Sequence, residues 1–192
     1  MTSILRKRTI CALLAAAALI FSSCGETTDP VDEYADLIDA AEPTMTGRFG
    51  KTVTDIEELI DECEPELVAT AQVVMRGEPS DSMTPYDMTL TEVFVGDLKK
   101  GDSITLLALY EAKDGKVISK ANTGLKALRV GSEYLIFVSD IGFEKGEFAG
   151  TYGNVTRSPG YIKISGEFDS EVLDGKYPSA KELLKEVRRV TR

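Results

Sequence analysis

The sequence predicts a small, mainly-β barrel of five to six strands, with a short helix before it and a helix after it. Three observations carry this expectation: short apolar runs with strand-like alternation between about residues 66 and 165, glycine-marked turns between those runs, and helix-period apolar spacing confined to the two flanks. The N-terminus has a different composition and is read separately.

Arg6, Lys7 and Arg8 stand before an almost wholly apolar run over residues 9–21. That run is shorter than the roughly 20 residues needed to span a bilayer, and it has the length of a signal-peptide apolar region. Phe21-Ser22-Ser23-Cys24 follows directly. This segment resembles the bacterial lipobox, in which small residues precede a cysteine that takes a diacylglyceryl group before cleavage; Phe21 stands where that motif prefers leucine. The resemblance implies that residues 1–23 are a signal peptide and that Cys24 is the lipidation site. The mature protein is then held on the extracytoplasmic side of a bacterial cell membrane. Two acyl chains suffice for stable anchoring, since each buried methylene contributes ~0.8 kcal/mol.

Residues 24–52 are rich in Asp and Glu, and Val31, Tyr34, Leu37, Ile38 and Ala41 could form one short helix there. The stretch reads as an acidic tether lifting the domain, residues 53–192, from the membrane. Within the domain, Thr54 or Asp55 can cap a helix whose Ile56, Leu59 and Ile60 share a face. It should finish near Cys63, because Pro65 disfavours helical geometry before it. Residues 66–76 are β-branched and apolar, and end at Gly77. Residues 85–95 alternate, with Tyr86, Met88, Leu90, Glu92 and Phe94 on one face. A turn over residues 96–102, with glycine near both ends, leads to a third strand over residues 103–110. Asp114-Gly115 marks a tight turn before a short edge strand at residues 116–119. Residues 133–139 form an apolar strand, and further strands are expected at 148–152 and 160–165. Ser179 caps a last helix that places Leu183, Leu184, Val187 and Val190 on one side.

The order of these motifs is similar to a known family. Cys63 stands shortly before the first strand. Val93-Phe94-Val95-Gly96 leads through Gly101-Asp102 to Ile104-Thr105-Leu106, and Leu128-Arg129-Val130-Gly131-Ser132-Glu133-Tyr134-Leu135-Ile136-Phe137 follows. Together they resemble the OB-fold domain of tissue inhibitors of metalloproteinases (TIMPs) and netrin-type modules, over about residues 63–165. The resemblance implies an OB-like barrel. In those inhibitors a free N-terminal cysteine beside the first strand chelates the protease zinc. Here the expected N-terminal residue is the lipidated Cys24, and Cys63 has no disulfide partner in the mature chain, so that chemistry does not carry over. Inhibition of a secreted protease remains the alternative function, through some other contact surface.

Composition narrows the chemistry. The chain contains no histidine, so neither a Ser-His-Asp nor a Cys-His catalytic arrangement can be built. A His-containing zinc site is excluded with them. Of the three cysteines, Cys11 belongs to the signal and Cys24 to the lipid, which leaves Cys63 as a partly buried structural thiol. The signal carries three of the 22 basic residues and none of the 32 acidic ones, so the mature protein has 19 against 32, a net −13. Such a surface is repelled by nucleic acid and by anionic headgroups. Tyr86, Phe94, Tyr110, Tyr134 and Phe137 read as core rather than as base-stacking positions. Glu92, Asp97, Asp102 and Glu133 could meet at the barrel mouth as catalytic carboxylates, but their spacing does not require it. Asp169, Glu171 and Asp174 lack the order of a calcium loop. Asn154-Val155-Thr156 matches a glycosylation triplet, and Lys99-Lys100 reads as a solvated hairpin tip. The expectation is a non-enzymatic, lipid-anchored module without cofactor or metal, whose partner is an envelope or secreted protein.

Overall fold

The computed structural model describes residues 32–44, 53, 55–121, 126–141, 150–154, 160–169 and 172–192. Cys24 and the expected signal peptide lie outside these residues. Three helices and eight strands occur among them: α1 (Glu33–Ala40), α2 (Ile56–Cys63), β1 (Leu67–Arg76), β2 (Thr84–Val95), β3 (Ser103–Ala108), β4 (Tyr110–Lys113), β5 (Lys116–Lys120), β6 (Glu133–Asp140), β7 (Tyr152–Asn154), β8 (Tyr161–Lys163) and α3 (Ala180–Val190).

Five strands close into a barrel in the order β1-β2-β3-β7-β6, with β6 pairing back onto β1. The β3–β7 pair is parallel, and the other four pairs are antiparallel. β8 joins the edge of β6 beside β7. This is the small OB-like barrel expected from the sequence.

The period-two pattern fills the interior. Leu67, Ala69, Ala71 and Val73 of β1 point inward with Tyr86, Met88 and Leu90 of β2 and Tyr134, Ile136 and Val138 of β6. Val68, Leu135 and Phe137 point the other way, under Ile56 and Leu59 of α2 and Leu183 and Val187 of α3. Strand β6 is therefore covered on both faces, which is why residues 134–138 are apolar throughout rather than alternating. Asp55 caps α2 by accepting from the Glu57 and Glu58 N–H groups, and Ser179 caps α3 by accepting from Glu182 N–H.

Two expectations change here. The third strand stops at Ala108, and Tyr110 opens β4, which pairs with β5 as a separate hairpin through an Asp114-Gly115 turn with positive φ at both residues. The strand expected at 148–152 occurs as Tyr152–Asn154, with residues 148 and 149 outside the described set.

The larger correction concerns the tether. Of residues 24–52, those from 32 to 41 form a capped helix packed on the barrel. Ala35 and Ile38 are fully buried in the interior cluster, with Tyr34 and Leu37 packed against it. Three of the acidic residues that suggested a solvated spacer have specific partners. Asp32 caps the helix through Ala35 N–H and pairs with Arg76, while Asp36 and Asp39 both pair with Arg129. The C-terminal end of α1 is held by Lys120, 2% exposed, whose ammonium donates to the carbonyls of Ile38 (2.8 Å) and Ala41 (2.8 Å) and, more weakly, of Asp39 (3.4 Å). A cation at this end of a helix complements both the unpaired carbonyls and the helix dipole. Burial lowers the Lys120 pKa, and the nearby Asp39 opposes that shift.

Candidate binding cleft

Strand β1 departs from regular pairing at one place that matters. Val73 faces Met88 and Met75 faces Asp87, so Val74 is an extra residue against the partner strand. Such a bulge rotates the strand locally. As a result Val74 and Met75 are both exposed, at 55% and 54%, although they are adjacent in sequence. Val130 lies beside them and is also exposed.

These residues form one wall of an open cleft of about 800 Å³, bounded by the first half of α1 and the β4–β5 turn. Its apolar lining is Tyr34, Leu37, Val74, Met75 and Val130. Its rim is charged. The Arg76 guanidinium lies 4.0 Å from the Tyr34 ring centroid while paired with Asp32, and Glu33, Lys113 and Asp114 complete the edge. An apolar patch bordered by charged residues is the anatomy of a protein-contact surface. A large apolar pair held out in solvent is the more informative kind of exposure.

Polar chains fix the cleft walls. Ala112 N–H donates to the Tyr34 hydroxyl, at 3.1 Å. Thr84 Oγ1 donates to the Tyr110 carbonyl at 2.5 Å, so the 2.7 Å contact between Tyr34 and Thr84 has Tyr34 as donor. This relay pins α1 to β2 and β4. Interior tyrosines hold the segment leading to Val130: Leu128 N–H donates to the Tyr110 hydroxyl, Arg129 N–H donates to that of Tyr134, and the Tyr161 hydroxyl donates to the Lys126 carbonyl. Asp39 accepts from Ala127 N–H. An irregular segment at the barrel end thus has its backbone groups satisfied one by one. The tyrosines are structural, as read from the sequence. Phe137 lies under α2 and α3, and Phe94 is half-buried against the same cluster.

The four carboxylates imagined at a barrel mouth do not meet. Glu92 forms a two-bond pair with Arg188, which holds its carboxyl below the usual carboxylate range. Glu133 accepts from Thr91, Asp102 accepts from Lys99 N–H at the hairpin tip, and Asp97 is exposed. Among the described residues no three Asp, Glu or Cys side chains gather as a cation site; Glu171 lies outside them. Cys63 is a half-buried thiol at the end of α2.

A second cleft of about 820 Å³ runs along α3 past Lys176 and Tyr177. Its cations are largely engaged within the molecule, Arg188 by Glu92, Arg189 by Glu57 and Glu186, and Lys176 by Asp55. The basic face of α3 complements the acidic α2 beside it, so it offers little charge to an outside ligand.

The sequence reading missed the first cleft because it depends on a bulge. The available signal was Val73-Val74-Met75, three consecutive apolar residues at the end of a strand where alternation would expose only one of them. No family model and no curated protein matches the chain.

Proposed function

We propose that this protein is a lipid-anchored, extracytoplasmic binding module of non-enzymatic function, and that it engages a protein partner of the cell envelope through the cleft between α1, the bulged end of β1 and the β4–β5 turn. The observation that carries the reading is the exposure of Val74 and Met75 beside Val130 within a charged rim. Single exposed apolar residues are ordinary, but an adjacent pair turned outward by a bulge is not. The lipobox-like segment ending in Cys24 supports the location. The first described helix starts soon after it: eight residue steps separate Cys24 from Asp32, a reach of no more than about 28 Å. Asp32 lines the cleft, so the anchor would hold this surface close to the membrane.

Two measurements test the two halves of this reading. Intact masses of the wild-type protein and Cys24→Ala, taken from separated membrane and soluble fractions of a lipoprotein-competent bacterium, test the anchor. Loss of residues 1–23 with added acyl mass, in the membrane fraction only and abolished by Cys24→Ala, is expected; an unacylated soluble wild type overturns it. A photo-crosslinking side chain at position 75, compared with one at the equally exposed Ile118 on β5, tests the cleft. A discrete adduct from position 75 alone is expected. The same pattern from both positions, or none, removes the cleft from the proposal.

A further inference from the structure

Among the described residues α1 is tied to the barrel by side chains and gives no backbone hydrogen bond to any strand. The ring β1-β2-β3-β7-β6 closes through its own strands and does not need the helix. An eight-residue helix has too few turns to persist alone in water, so α1 is helical only while docked. Its fully buried apolar contribution is two side chains, Ala35 and Ile38. The rest of its hold is Tyr34 and Leu37, partly buried against the interior cluster, and side-chain polar ties: Asp32 on Arg76, Asp36 and Asp39 on Arg129, Asp39 on Ala127 N–H, the Tyr34 hydroxyl on Thr84 and Ala112, and Lys120 on the last carbonyls. Short segments with few fully buried apolar side chains that add no strand to the sheet are those that open below the level of global unfolding.

We propose that α1 is a strap that lifts from the barrel end while the five-stranded ring stays closed. Lifting removes one wall of the cleft, because Asp32, Glu33, Tyr34 and Leu37 line it. It also frees Arg129 and Lys120 and bares the tyrosine-lined end of the barrel, where Tyr34 now packs 6.4 Å from Tyr110, centroid to centroid. The strap is the part of the domain joined to the segment that carries Cys24, so a pull on that segment reaches α1 before any strand. The control of binding by the strap rests on the cleft reading above; the lifting itself does not.

Native-state hydrogen exchange on the full chain, at increasing urea, separates the two kinds of opening. The reporters are the helical amides of α1 and those of Ala69 and Ala71 in β1, which is paired on both sides. The α1 amides should exchange at least ~10-fold faster than those of β1, with a weaker dependence on urea. A substitution in the outer cluster, Leu183→Ala, weakens the ring and its helices without touching α1. It should speed β1 exchange by roughly tenfold or more and leave α1 exchange unchanged. Ile162→Val serves the same purpose where Leu183→Ala leaves too little folded protein. Acceleration of α1 and β1 by the same factor, or one common rate and urea slope for both, would mean that the helix opens only when the barrel unfolds, and the strap would be disproved. Neither readout depends on a ligand, so failure of the strap and failure of the cleft are told apart.

Discussion

Tyr86 and Tyr110 meet edge to face inside the barrel at 6.2 Å, and their hydroxyls fare differently. That of Tyr110 accepts from Leu128 N–H, while that of Tyr86 is buried with no hydrogen bond of regular geometry, its polar neighbour being the Tyr110 hydroxyl. Burial drives the Tyr86 phenol pKa far above its ordinary value, with the neighbouring Tyr110 hydroxyl working in the opposite direction. An unpaired buried hydroxyl carries its desolvation cost uncompensated, so Tyr86→Phe should leave stability unchanged or raise it by up to ~1 kcal/mol, whereas Tyr110→Phe should lower it by ~1 kcal/mol or more. Urea midpoints of the two variants decide this. Gly96 is a second residue with a definite requirement. Its φ is +111°, and an added Cβ would lie 2.7 Å from the Glu66 carbonyl. Gly96→Ala should therefore cost well over ~1 kcal/mol in the same assay. The Glu92–Arg188 pair sets a pH dependence. Because the folded carboxyl titrates below its unfolded value, the stabilisation is fully present above the usual carboxylate pKa and is lost as pH falls through the lowered one. Arg188→Gln should flatten that part of the acid limb of a stability–pH curve; an unchanged limb would mean the pair contributes nothing. Both partners are over one-third exposed, so the effect should be small and should shrink further in salt.

Helix α1 tests the correction at the level of elements. Ile38→Ala should destabilise the protein by roughly 2–4 kcal/mol if the helix is docked, and by nearly nothing if residues 32–44 were a spacer. The measured cost cannot exceed the free energy that holds the strap down, because beyond that point the helix is already undocked. Lys120→Met leaves the carbonyls of Ile38 and Ala41 without their donor and should cost ~1–3 kcal/mol by the same measurement. Elements with local signals were legible in the sequence. The alternation of residues 85–95 placed Tyr86, Met88 and Leu90 inside, and Asp55 and Ser179 announced the starts of α2 and α3. Docking of α1 was not legible, because the residues that neutralise its acids are far away along the chain. Asp32 waits for Arg76, and Asp39 for Arg129, 44 and 90 positions on. A local reading sees only acid, proline and thin apolar content, which is also what a linker looks like. The bulge was hidden for a related reason: its register depends on strand β2, not on the residues of β1 alone.

For the molecule as a whole, charge and surface have separate roles. The excess of acid opposes binding to anionic surfaces through charge alone, while the basic α3 is matched to α2 through Glu57 and to the barrel through Glu92. The cleft makes a complementary prediction. Val74→Ser and Val130→Ser together should change the unfolding midpoint little, since both side chains are solvent-exposed, but should abolish the adduct formed by the crosslinking side chain at position 75. The barrel class was readable because closure needs only strand length, turn chemistry and alternation, all of which are local. The site was not, because it is assembled from three separate stretches of chain. The contact between Lys120 and the end of α1 also has a meaning in time. The helix is the first described element to leave the ribosome, yet its C-terminal cap is made 82 residues later and its Arg129 partner 90 residues later. Loop closure over such separations is slow compared with hairpin formation. Helix α1 thus stays undocked while the chain between it and Arg129 is still being made, and it becomes fixed last. In pulse-labelled refolding, the α1 amides should be the last of the described helices to gain protection.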